Sequence, residues 1–108
     1  MIPEIIQAYL ALPESIGKQS IQKFLDEYSD EEQMLLVACM YIGREHMRFS
    51  HIQQPTPQSA YQLDRKFIDY IHKDDYANIL YGKYSASRTY LRKIIDCAVN
   101  SNFNLSQI

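Results

Sequence analysis

A chain of 108 residues, 46% hydrophobic and 22% charged, is long enough to close one hydrophobic core and too apolar to be disordered by default. Its formal charge of −2 argues against nucleic acid as a default ligand, and its longest apolar run, Met34–Ile42, is less than half of the roughly 20 residues that span a bilayer. The start, MIPEIIQAYL, has no basic n-region and carries Glu4 among apolar residues, so a cytoplasmic protein is expected, with Cys39 and Cys97 reduced and acting as small hydrophobes.

In chain order, Pro3 suits the first turn of a helix, and Ile2, Ile5, Ile6, Tyr9, Leu10 and Leu12 follow at spacings near three and four. Pro13 disfavours helical geometry in the residue before it and closes this helix. Ile21, Phe24, Leu25 and Tyr28 set out the stripe of a second helix starting near Ser20. The link to the next can then be only a residue or two at Ser29. There Ser29 and Glu32 stand three apart, the spacing of a reciprocal cap, and Asp30, Glu31 and Glu32 put negative charge where the helix dipole is positive. Met34–Ile42 then runs apolar without interruption. A helix that is apolar on every side has to be surrounded by others, so about residues 30–42 are predicted to be the buried centre of the fold, with Gly43 releasing the backbone.

From Arg44 to Ser59 the periodicity fades into a loop. Thr56 and Pro57 open a further predicted helix, with Ala60, Leu63, Phe67, Tyr70 and Ile71 on one face. Asp74 or Asp75 caps a short helix through Tyr76, Ile79 and Leu80 that ends at Gly82, and Ser85 caps the last one. On that helix Tyr90, Leu91, Ile94, Ile95, Cys97 and Ala98 form the predicted buried side, and Arg88, Thr89, Arg92, Lys93 and Asp96 the wet side. Residues 100–108 form a polar tail that frays. The fold class is therefore all-α, a single domain over residues 1–108 with about five or six helices around one buried helix.

An acidic cap leading into a nearly all-apolar helix that ends in YIGR (Tyr41–Arg44), then a loop, a helix, and DYANILYGKYSASRTYLRKIID (Asp75–Asp96) resembles a bacterial family catalogued as domain of unknown function 3775. The likeness spans about residues 29–97. It implies a small helical fold and brings no activity with it.

Several groups of residues could carry chemistry. Glu45, His46 and His51 are metal-binding types, yet the five-residue separation of the histidines does not place them on one helix face, so only a turn could join them. His72 with Asp74 and Asp75 has the character of helix-end capping. Asp64 falls at the apolar margin of its helix and needs a cationic partner, for which Arg44 is the candidate. Lys83, Arg88, Arg92 and Lys93, interleaved with Tyr81, Tyr84 and other tyrosines and with no acid, could follow a nucleic acid backbone. No nucleophile elbow or phosphate-cradling loop is present, and nothing calls for a cofactor. Residues 1–45 hold three bases against eight acids, a balance of −5, and residues 46–108 eight bases against five acids, a balance of +3. This opposition, with nine tyrosines that a small core cannot all cover, favours a non-enzymatic module that binds a protein partner or a second copy of itself. The alternatives are a nucleic acid binder through the Lys83–Lys93 face and a metal-dependent enzyme around His46 and His51.

Overall fold

The structure, a computed structural model, describes residues 2–53 and 72–105. Among these residues the fold is all-helical, without strands: α1 (Ile2–Leu10), α2 (Lys18–Leu25), α3 (Asp30–Glu45), a 3-10 turn (Lys73–Asp75), α4 (Tyr76–Gly82) and α5 (Tyr84–Asn100). The helix expected from Pro57, including Asp64, lies outside the described residues. No helix among the described residues is long and apolar enough to cross a membrane.

Helix α3 is the centre of the packing. Ser29 Oγ accepts from the Glu32 amide at 3.2 Å and the Glu32 carboxylate accepts from the Ser29 amide at 3.0 Å, which satisfies two first-turn donors reciprocally. The bond from the Ser29 amide also holds the Glu32 carboxyl below its usual range. Every residue from Met34 to Gly43 is buried except half-buried Leu35, so the helix is enclosed as its unbroken apolar run requires. Helix α5 lies against it over the largest contact, α1 and α4 cover further sides, and α2 packs mainly on α4. Gln33 ties α2 to this centre: its buried amide donates to the carbonyls of Leu25 and Tyr28 at 2.9 and 3.1 Å, at the exit of α2.

Gly43 does not end the helix, which continues to Glu45. It is where α3 and α5 touch backbone to backbone. A Cβ at this position would land on the Tyr90 carbonyl, 2.7 Å from its carbon. Other boundaries also shift. The α2–α3 link is four residues, Asp26–Ser29, rather than one or two. Helix α5 begins at Tyr84, with Lys83 rather than Ser85 before it and no side-chain cap. Asp75 stands at the N-cap of α4, though without a side-chain cap bond, and the 3-10 turn before it is capped by His72, whose Nδ1 accepts from the Asp74 amide at 3.2 Å.

The tail expected to fray from residue 100 is fastened through Leu105. Asn102 adopts φ 53°, the Phe103 amide donates to the Ala98 carbonyl at 2.8 Å and the Asn102 amide to Val99 at 3.1 Å. These are the paired bonds of a helix C-terminus closed by a left-handed residue, and asparagine is the side chain after glycine best suited to that conformation. Leu105 is buried and Phe103 half-buried against the core.

Gly43→Ala is expected to lower stability by about 1–3 kcal/mol, because the opposing atom is backbone and cannot rotate away. Gly82→Ala, where a Cβ meets nothing within 4 Å, serves as the control and should not destabilise. Urea denaturation of the two variants checks this.

Candidate functional site

The basic face proposed from sequence divides into residues that bind inward and residues that do not. Arg88 lies along the exit of α1: one guanidinium nitrogen donates to the Leu12 and Pro13 carbonyls at 3.1 and 3.2 Å, and the other to Leu10 at 3.1 Å. A cation at these carbonyls complements the negative end of α1 as well as satisfying its last acceptors. Tyr84 is buried, and its hydroxyl donates to Pro13 at 2.6 Å. Both residues therefore clamp the α1 exit to α5 instead of facing a ligand.

Behind them, the buried Tyr9 hydroxyl and Ser87 Oγ are 2.9 Å apart. Ser87 donates its own proton to the Tyr84 carbonyl at 2.8 Å, so Tyr9 is the donor in that pair. Burial pushes the Tyr9 hydroxyl up to about 12, because the phenolate would lose its hydration. Ser87, a polar residue among apolar ones, gave no sign of this role in sequence.

Lys83 and Arg44 converge on one ring. Their charged ends lie 5.4 and 4.8 Å from the centre of the buried Tyr41 ring, within the range of cation–π attraction. Arg44 was the expected partner of Asp64, which lies outside the described residues, and Tyr41 is the contact seen for it. Among the described tyrosines only Tyr81 is exposed, at 51%. The core thus covers more tyrosine than expected, and no tyrosine surface patch forms among these residues.

The turn after α3 brings its histidines to different places. His46 is buried, and the Gln53 amide, which can only donate, points at its Nε2 at 3.1 Å. Its Nδ1 therefore carries the proton and donates to the Ile42 carbonyl at 2.8 Å. Both ring nitrogens serve the backbone. His51 is exposed and meets Ser50, 3.0 Å away, and Glu45 is exposed. No group of three potential metal ligands forms among the described residues. The same turn is fastened to the end of α5: Ser101 accepts from the Ile52 amide at 2.8 Å, Asn100 donates to the Ser50 carbonyl at 2.7 Å, and the buried Cys97 thiol donates weakly to Phe49 at 3.6 Å. Burial raises that thiol above its usual range, consistent with an inert side chain.

What remains is a furrow along the outer face of α5. One part, about 300 Å³, lies between Glu14, Ser85, Arg88, Thr89 and Arg92, and the next, about 220 Å³, adds Met47, Lys93 and Asp96. Thr89 and Arg92 belong to both, so the two parts run together along the helix. Met47 stands on one wall at 42% exposure. Arg92 and Lys93 have no hydrogen bond or ion pair with the other described residues, unlike Arg88 beside them. An apolar groove of about 220 Å³ opens elsewhere, between α1 and the end of α5, lined by Pro3, Gln7, Ile95, Val99, Phe103 and Leu105 among others.

In comparisons with known proteins, the chain matches no family model, no curated protein and no solved structure.

Two variants check the inward duties of these residues. His46→Ala leaves the Gln53 amide without its acceptor and should cost about 1–3 kcal/mol, with faster hydrogen exchange at that amide. In alkali, an unfolded tyrosine ionises near 10.0 and Tyr9 in the fold near 12, so the stability held below pH 10 declines as pH rises toward 12. Tyr9→Phe should flatten that decline, as followed by denaturant midpoints across this range.

Proposed function

We propose that this protein is a non-enzymatic helical interaction module that docks a protein partner along the α5 furrow. The observation that carries the reading is the pair Arg92 and Lys93, unengaged among the described residues and beside exposed Met47, where the other nominated cations have partners. Arginine and methionine are enriched where proteins meet, and cations held on a rigid helix lose little freedom when an acidic partner arrives. The furrow also carries Glu14 at one end and Asp96 beside Arg92 and Lys93 at the other, so a partner's acids must seat on Arg92 and Lys93 away from these carboxylates. A cytoplasmic setting, with Cys39 and Cys97 reduced, fits this use. The resemblance to the domain of unknown function 3775 family is compatible with it and assigns no reaction.

Nucleic acid binding is the second reading. It retains Lys83, Arg92, Lys93 and exposed Tyr81, but Arg88 and Tyr84 are occupied within the fold, and a smaller cationic footprint means fewer phosphate contacts. The two readings part on a direct measurement. A fluorescein-labelled acidic amphipathic peptide should bind the protein with an affinity that falls as salt rises, and Arg92→Glu with Lys93→Glu should weaken it by about tenfold or more. A labelled single-stranded oligonucleotide should not bind. Retention of the oligonucleotide without the peptide overturns the proposal in favour of nucleic acid.

A further inference from the structure

The furrow has a candidate occupant within the molecule itself, on the opposite side of its charge balance. The α2–α3 turn, DEYSDEE (Asp26–Glu32), carries five acids and no base, the most acidic stretch in the chain. Three of them, Asp30, Glu31 and Glu32, start α3, where negative charge helps the helix. Asp26 and Glu27 have no such reason: they follow the last residue of α2, at the negative end of its dipole, where carboxylates are disfavoured. Both are exposed. Asp26 accepts from the Gln22 amide at 2.8 Å, and Asp30 meets Lys73 at 3.2 Å, so part of the charge is answered locally.

The turn is also preorganised. The Ser29–Glu32 cap fixes its second half, and Gln33 holds the Leu25 and Tyr28 carbonyls of its first half. A preorganised acidic knob with the half-buried Tyr28 ring on it complements the Arg92 and Lys93 side of a groove that also carries Asp96 and an exposed methionine.

We propose that the α5 furrow of one molecule receives the acidic α2–α3 turn of a second copy, joining the two head to tail. This rests on the furrow being a docking surface, as inferred above, and adds the identity of the partner. The two surfaces differ, so the contact is heterologous: the pair keeps one free furrow at one end and one free turn at the other, and association continues into longer chains or closes as a ring. Opposed exposed charges make the contact sensitive to salt.

Sedimentation velocity on the wild-type chain and two variants tests it. The wild type should gain mass with concentration at low salt and return to monomer at high salt. A furrow variant (Arg92→Glu with Lys93→Glu) and a turn variant (Asp26→Lys with Glu27→Lys) should each be monomeric alone. Mixed, they should associate, because one retains the turn and the other the furrow, and the two reversed surfaces are again opposite in charge. Circular dichroism verifies that both stay helical. If either loses helicity, Arg92→Gln and Glu27→Gln carry the same comparison, each weakening self-association by about tenfold. A wild type that is monomeric at every concentration, variants that associate as the wild type does, or a mixture that stays dissociated overturns the inference. A monomeric wild type that still binds the acidic peptide removes the second copy as partner and leaves the furrow as a docking surface.

Discussion

The backbone contact between Gly43 and Tyr90 is the constraint on which the rest of the molecule depends. Two helices normally stand apart by the length of the side chains between them, 8–10 Å between axes. At Gly43 there is no side chain, and the Tyr90 carbonyl occupies the space that a Cβ would fill. That approach sets α5 along the buried helix and fixes which of its faces is inward. Leu91, Ile94, Cys97 and Ala98 then meet the core on one side, and Arg92 and Lys93 are turned outward.

With α5 in place, polar side chains secure the connections around it by bonding to backbone. Arg88 takes the carbonyls at the exit of α1, Gln33 those at the exit of α2, and His46, Asn100 and Ser101 the main chain of the turn after α3. Buried or half-buried carbonyls and amides at helix ends need partners, and in a domain this small they come from neighbouring helices. This division of labour decides what the surface can do. A cation whose donors already meet carbonyls has little left for a ligand, so the functional surface is set by the residues the fold does not use.

The surface charges include a cluster of five acids at the α2–α3 turn and, along α5, Arg92 and Lys93, whose side chains bond to no other described residue. Surface charges contribute little to folding stability, so this clustering is better understood through association than through the fold.

Much of this was legible in the sequence. The apolar run Met34–Ile42, the Ser29–Glu32 spacing and the stripes of α1 and α5 determined the helical class, the enclosed helix and its cap, because helical period and first-turn capping are properties of neighbours in the chain. Tertiary structure decided the rest. Arg88 and Tyr84 looked like a ligand-binding pair because their spacing says only that they share a helix. Their partners, at Leu10, Leu12 and Pro13, are more than seventy residues away. His46 looked like a metal ligand for the same reason, and Gly43 like a helix end, since a glycine that opens space for another backbone has the same local signature as one that stops a helix. Residue type and spacing define what a side chain can bond to, and only the fold brings the partner within reach.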